Sequence, residues 1–190
     1  MKLIFIFIFM YIEILAHPHV FLESFTQPEI TKEYIKGINF TIIMDEMNSL
    51  IFIQTYDINK DNLLDKKEFI KLANKNFSGI IGKKSHFHIR YGNKNINLKS
   101  FKLNEVFMDE GNLIYKIFIP LNIKIEKEKN LYIGIYDSDY YYDYDYCEEY
   151  FLKDKINRNF KLSFGENYKI SYYMGNLNPL EYEVIFWKKQ

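Results

Sequence analysis

The chain has 190 residues and carries 25 Lys and Arg against 25 Asp and Glu, so its formal net charge is zero. This balance offers no positive field to attract nucleic acid or an anionic membrane surface. Cys147 is the single cysteine, so no intramolecular disulfide can form. The stability of the fold must therefore come from packing and from any metal that the chain binds.

The first sixteen residues have the layout of a signal peptide. Lys2 precedes an apolar run from 3 to 12, and the segment ends at the small residue Ala16. The run is too short for a comfortable membrane span. We expect cleavage after Ala16, a periplasmic or secreted location, and a mature single domain at 17–190. An uncleaved anchor is the alternative, because Glu13 and Ile14 are unusual so near a cleavage site.

The rest of the chain is predicted to be mainly β. Short apolar or alternating runs rich in Ile, Phe and Tyr are separated by Gly, Asn, Asp and Lys, as in an antiparallel β-sandwich. Hairpin turns are expected at Gly92-Asn93, Gly111-Asn112 and Gly165-Glu166. The predicted strands are Val20–Phe25, Tyr34–Met44, Phe87–Arg90, Leu113–Leu121, Leu131–Tyr136, Phe160–Phe164, Tyr168–Tyr173 and Tyr182–Trp187.

Two helices are predicted within this β-domain. Asp45 can cap a helix over Glu46–Tyr56, with Met47, Leu50, Ile51 and Gln54 at helical spacing. A second helix is expected over Lys66–Asn76, with an apolar stripe. The sequence thus predicts an EF-hand-like helix–loop–helix inserted around 45–77.

The loop between the two helices has the ligand spacing of an EF-hand calcium site. Residues 57–68 read D-I-N-K-D-N-L-L-D-K-K-E, with oxygen ligands at loop positions 1, 3, 5, 9 and 12. Asn62 stands where Gly usually takes the positive φ of the turn, and Asn tolerates that conformation well. The alternative is an acidic turn that leads into a helix. The predicted Ca²⁺ ligands are Asp57, Asn59, Asp61, the Leu63 carbonyl, Asp65 and Glu68.

The four histidines form two His-x-His pairs, His17 with His19 and His86 with His88. Cleavage after Ala16 would make His17 the first residue, so that its amine and imidazole could chelate one ion together. His86 and His88 are two apart in a predicted strand and should project from one face. The pairs therefore suggest a shared Cu, Ni or Zn site. The alternative is that His86 and His88 are ordinary exposed residues of a strand.

The segment from Tyr136 to Tyr150 interleaves tyrosines with Asp137, Asp139, Asp143 and Asp145. We favour a strand and its following loop, with Tyr at the amphipathic boundary and Asp in solvent. A second cation or ligand surface is the alternative.

Several of these motifs occur together in a known family. H-P-H-V-F-L-E at 17–23, M-D-E-M-N-S at 44–49, the loop at 57–68 and L-Y-I-G-I-Y-D-S-D-Y-Y at 131–141 resemble the bacterial periplasmic Domain of Unknown Function family 1007. The resemblance implies a periplasmic protein, sometimes linked to nickel or cobalt transport. Besides His17, His19 and the side-chain ligands of the loop, it carries over Asp45, Glu46 and Asp137.

No nucleophile elbow, phosphate-binding loop or dinucleotide fingerprint is present, so we do not expect an enzyme. Three hypotheses follow for function. The first is a calcium-stabilised, metal-handling or transport-associated binding protein whose His-rich start binds a transition metal. The second is an interaction module that calcium rigidifies and that docks a membrane transporter or another envelope partner. The third is a copper enzyme that uses His17. In none of them do we expect nucleic acid binding, or strong membrane-surface binding after cleavage.

Overall fold

The computed structural model describes residues 18–68, 70–71, 85–126, 128–147 and 160–186. The described part is mainly β, with one eleven-residue helix, α1 (Glu46–Tyr56). The strands are β1 Val20–Ile30, β2 Tyr34–Met44, β3 Phe87–Tyr91, β4 Lys94–Asn95, β5 Lys102–Asp109, β6 Asn112–Lys124, β7 Leu131–Ile135, β8 Tyr142–Tyr146, β9 Phe160–Glu166 and β10 Leu180–Phe186.

These strands form two five-stranded sheets. The first sheet has the order β5-β6-β2-β1-β8 and the second has the order β4-β3-β7-β10-β9. Neighbouring strands are antiparallel except β1 and β8, which run parallel from Val20↔Tyr142 to Ser24↔Tyr146. The prediction of a purely antiparallel arrangement is therefore wrong at this edge.

One apolar cluster joins both sheets. Alternate residues of β2, Ile38, Phe40 and Ile42, are fully buried, because successive strand side chains point to opposite faces. Phe40 contacts Phe87 of the second sheet, with ring centroids 4.6 Å apart. Burial of each such side chain stabilises the fold by roughly 1.5–3 kcal/mol.

Strand β8 ties the two sheets together through Tyr146. The Tyr146 hydroxyl accepts a hydrogen bond from Ile135 N at 2.6 Å and donates to Ile135 O at 2.5 Å. Its ring packs between Phe164 and Tyr182, at centroid distances of 5.5 and 5.7 Å. A residue of the first sheet thus completes the hydrogen bonding at the end of β7 in the second.

The predicted bounds of β2 and α1 are confirmed, and most other predicted strands overlap observed ones. The predicted strand Tyr168–Tyr173 is wrong: only an isolated bridge joins Tyr172 to Leu177. Tyr173 and Met174 have positive φ values of 47° and 56°, which a strand does not allow. The predicted hairpin at Gly165-Glu166 is also wrong, because both residues lie within β9.

Strand β5 was not predicted, and β8 was expected only as an unplaced strand within 136–150. In β5 the register shifts between Leu103 and Glu105, so that the alternation of apolar and polar residues is interrupted. In β8 tyrosines and aspartates alternate, and Tyr is equally common at a surface and in a core. Composition therefore did not reveal that Tyr144 would be buried.

The predicted buried face of α1 is wrong. Met47, Leu50 and Ile51 are exposed, whereas Asn48 and Ser49 are buried. These two polar residues bond the ends of strands: Asn48 Nδ2 donates to His19 O at 3.1 Å, and Ser49 Oγ accepts from Leu113 N at 2.8 Å. Satisfied hydrogen bonds make this burial favourable.

Residues 66–68 and 70–71 are helical, and the rest of the predicted helix Lys66–Asn76 lies outside the described residues. The predicted signal peptide, 1–16, also lies outside them. Among the residues that the structure describes, no helix has the length and apolar character needed to cross a membrane.

Candidate metal-binding sites

Helix α1 carries the chain from β2 to the predicted calcium loop. Asp45 caps its first turn: Oδ1 accepts from Asn48 N at 2.9 Å, and Oδ2 accepts from Asn48 Nδ2 at 2.8 Å. Oδ2 also accepts from Phe21 N at 3.2 Å, which fixes the helix to β1. The helix ends at Tyr56, so the loop begins directly at Asp57.

The first half of the loop is organised around the carboxylate of Asp57. Its Oδ1 accepts from Lys60 N at 2.6 Å and its Oδ2 accepts from Asn62 N at 2.8 Å. Asn62 has φ 64°, and Lys60 has φ 61°. The prediction that Asn62 takes the positive φ of the turn is therefore confirmed.

The next ligand positions bond to each other and to the main chain. Asn59 Nδ2 donates to Asp61 Oδ2 at 3.0 Å, and Leu63 N donates to Asp61 Oδ1 at 2.9 Å. Asp65 Oδ1 accepts from Lys67 N and Glu68 N at 2.7 and 2.9 Å. Asp65 thereby caps the helical turn that follows the loop.

The carboxylate of Glu68, at loop position 12, bonds to main-chain N–H groups of the loop. Its Oε1 accepts from Ile58 N at 2.8 Å and from Asn59 N at 3.3 Å, while its Oε2 accepts from Asp65 N at 3.0 Å. The residue is only 4% exposed. Leu64, the apolar residue at loop position 8, is buried in the core cluster. Loop position 12 thus contacts both the start and the end of the loop.

Within the described ranges, no group of three or more His, Cys, Asp or Glu side chains is arranged to hold a metal ion. In the loop the reason is geometric, because the carboxylate oxygens bond to main-chain N–H groups. The four acidic residues of the loop, Asp57, Asp61, Asp65 and Glu68, form no ion pair with any described residue.

His86 lies where the two sheets meet. Its Nδ1 is 2.8 Å from the Tyr144 hydroxyl, and its Nε2 is 3.6 Å from Asp137 Oδ1. Burial lowers the pKa of His86, and the nearby Asp137 opposes this effect. Asp137 also accepts from the N–H groups of Asp139, Tyr141 and Tyr142 at 2.9–3.2 Å, so its carboxylate shapes the turn before β8.

His88 is held separately. Its ring stacks on Tyr136 with centroids 3.7 Å apart, and its Nε2 is 3.1 Å from Tyr136 O. A carbonyl only accepts, so this contact places the proton on Nε2 in the neutral ring. Burial lowers the pKa of His88 to about 4. Neither His86 nor His88 is the ordinary exposed strand residue of the alternative interpretation.

The N-terminal histidine pair is only partly described. The ring of His19 packs against Tyr141 with centroids 4.9 Å apart, and the ring of His86 packs against the adjacent Tyr142 with centroids 5.2 Å apart, both in tilted orientations. His17 lies outside the described residues. The structure therefore places His19 and His86 beside consecutive tyrosines, without placing both on one metal position.

The Tyr/Asp segment contains a residue that the ligand spacing did not reveal. Asp137 is buried and organises a turn, whereas the sequence pattern placed it in solvent. The family resemblance was the only signal that singled it out. Cys147 is partly exposed, and its N–H donates to Ser24 O at 3.2 Å.

The fold and these sites describe a mainly β protein with an acidic twelve-residue loop and two partly buried histidines, His86 and His88. Residues 2–166 match the family described as Protein of unknown function (DUF1007), and the chain belongs to this family. It is also similar to the uncharacterized 15.5 kDa protein in the trpE 3' region of Spirochaeta aurantia. The two are 23% identical over 137 residues, which cover 71% of this chain and 97% of that protein.

Proposed function

We propose that this chain is an exported calcium-binding protein with a role in metal handling or transport. In this proposal its two sheets form a β-sandwich, and residues 45–77 form an EF-hand-like helix–loop–helix inserted in it. The signal-peptide layout of 1–16 supports export to the periplasm or beyond. Calcium is abundant outside the cytoplasm, so a site with a dissociation constant of roughly 0.1–1 mM is sufficient.

The observation that supports calcium binding is the position of Glu68. Its buried carboxylate accepts hydrogen bonds from the N–H groups of Ile58, near the start of the loop, and Asp65, near its end. Asn62 adopts the positive φ that the turn of an EF-hand loop needs. An ion would neutralise four carboxylates that otherwise repel one another, and the fold should gain stability as it binds.

Terbium luminescence tests this proposal on the mature chain, 17–190. Tyr56 directly precedes the loop and can sensitise a bound Tb³⁺ ion, which Ca²⁺ should then displace. Glu68→Gln should weaken binding at least tenfold, because it removes the bidentate carboxylate, whereas Glu29→Gln on β1 should not. If the wild-type chain binds no ion at millimolar calcium, the proposal is wrong.

A transition-metal site is the second part of the proposal. The supporting observation is that the rings of His19 and His86 pack, in tilted orientations, against the adjacent Tyr141 and Tyr142. We propose that His17, through its amine and imidazole, and His19, His86 and His88 provide nitrogen ligands for Cu, Ni or Zn. Titration calorimetry should show micromolar binding that acetylation of the N-terminus weakens. Absence of binding for all three metals would exclude the site.

A calcium-rigidified interaction module is the alternative function. Exposed apolar residues on α1, Met47, Leu50 and Ile51, favour it, since large exposed apolar patches often mark interaction sites. A membrane transporter is the partner that we propose. A chain that binds calcium but no transition metal would favour this alternative. A copper enzyme would in addition require a redox-active ion with an open coordination position.

A further inference from the structure

The outward face of the first sheet carries a row of four neighbouring residues of which three are apolar. Register places Glu23, Ile43, Ile114 and Phe107 side by side across β1, β2, β6 and β5. Phe21, also on β1, is 51% exposed on the same face. A sheet with one face in water normally alternates apolar and polar residues. This face therefore departs from the pattern of a free surface.

Two adjoining cavities form a groove along this face. Their volumes are about 630 and 660 Å³, and both are lined by Ile43, Asp109 and Ile114. The groove has an apolar floor, because Ile114 is almost fully buried between its neighbours in the row. We call it the acidic groove, for the charges described next.

Negative charge is concentrated at one end of the acidic groove. No Lys, Arg or His of the described chain lines the first cavity. In the second cavity, the one basic residue among its described lining is Lys116, which is paired with Glu105 at 2.7 Å. Because the whole chain is neutral, this excess of negative charge is confined to one part of the surface. The carboxylates of the first cavity are Glu23, Asp45, Asp109, Glu110, Asp143 and Asp145.

The charges at this end disfavour one another. Partial burial and the neighbouring Asp145 raise the pKa of Asp143, because both make its ionised form less favourable. Phe21 and Asp143 are register partners on β1 and β8. An occupant that covers Phe21 and brings a positive charge beside Asp143 would bury exposed apolar surface and offset the repulsion between Asp143 and Asp145.

We infer that the acidic groove docks a basic amphipathic segment of a partner protein. Apolar side chains of that segment cover the row from Ile43 to Phe107, and its Lys or Arg side chains meet the carboxylates at the β8 end. Complementary charge fixes the orientation and speeds association, while the apolar contacts provide affinity. The inference does not depend on calcium, since no residue from Asp57 to Glu68 lines the groove.

A fluorescent peptide tests the inference on the exported, processed chain. The probe has about fourteen residues, alternating lysine and leucine, and its control has glutamate in place of lysine. Fluorescence anisotropy should show binding of the lysine peptide below about 100 µM and none of the glutamate peptide. Raising the salt concentration from about 0.05 to 0.5 M should weaken binding at least tenfold. Equal binding of both peptides, or binding of neither, would overturn the inference.

Matched variants locate the bound peptide. Glu23→Gln/Asp145→Asn should weaken binding about tenfold. The control Glu29→Gln/Glu33→Gln changes the charge equally outside the groove and should have no effect. All four residues are exposed, so both variants should fold, which an unchanged melting temperature would verify. Equal losses in the two variants would refute docking in the groove.

One further variant tests whether the acidic groove is occupied by a partner protein or by another part of this chain. The residues between Lys71 and Ser85 include Lys75, Lys83 and Lys84 and no acidic residue. Replacing these three lysines with Gln should leave peptide affinity unchanged. An increase of tenfold or more would mean that this part of the chain competes for the groove, and the inference of a partner protein would then be wrong. Neither result depends on calcium binding, which the Glu68→Gln variant tests separately.

Discussion

Replacing Tyr146 with Phe removes one oxygen atom and should destabilise the fold far more than a surface substitution. The hydroxyl accepts from Ile135 N at 2.6 Å and donates to Ile135 O at 2.5 Å. Ile135 is buried at the end of β7. The ring of Phe would keep the contacts with Phe164 and Tyr182, so the loss is confined to hydrogen bonding.

The magnitude follows from counting the groups left without partners. Two buried main-chain groups lose their bonds at once, and an unsatisfied buried donor or acceptor costs about 1–3 kcal/mol. Partial relaxation should reduce the total, so we expect the free energy of unfolding to fall by about 2–4 kcal/mol. A loss of this size would open the seam between the sheets near His86 and Asp137.

Urea denaturation followed by tryptophan fluorescence and circular dichroism measures this loss. Tyr168→Phe is the control, because Tyr168 is largely exposed and its hydroxyl bonds only at the surface. We expect the control to change stability by less than about 0.5 kcal/mol. If Tyr146→Phe behaves like Tyr168→Phe, the hydroxyl does not join the two sheets and the reasoning fails.

Three further predictions concern single sites. Lys60→Gly should stabilise the fold by about 0.5–1 kcal/mol, because Lys60 has φ 61° and Gly takes that conformation without strain; Lys67→Gly, in a helical turn, should destabilise it. Glu181→Ala should cost about 3 kcal/mol, because it leaves Arg90, now paired with Glu181 at 2.6 Å, without its counter-ion; Glu181→Gln removes the same charge and should cost nearly as much, and a negligible loss in Glu181→Gln would contradict the ion-pair argument. The pKa of His88 is about 4 in the folded state, below its value of about 6.5 in the unfolded state. Between these two pKa values the unfolded state binds more protons, so the free energy of unfolding falls as the pH falls. From pH 7 to 5.5 this loss is about 1.2 kcal/mol. Urea titrations with chelator present should show that loss reduced in His88→Gln, and a wild-type curve flat over this range would contradict it.

The sequence by itself determined the local elements. The Asp45 cap and the helix Glu46–Tyr56 were predicted from capping preference, and the strand Tyr34–Met44 was predicted from its apolar composition. The positive φ of Asn62 followed from loop spacing, because turn chemistry depends on a few neighbouring residues. These features depend on interactions within about a dozen residues, which a sequence displays directly.

Only the tertiary structure decided which faces are buried and which distant residues meet. Asn48 and Ser49 are buried because main-chain groups near strand ends 29 and 64 residues away need hydrogen bonds. His86 lies beside Asp137 because β3 pairs with β7, and it meets Tyr144 because β8 pairs in parallel with β1, two pairings that no local pattern specifies. The apolar outward row of the first sheet likewise depends on register across four strands, so its composition became meaningful only once the strands were aligned.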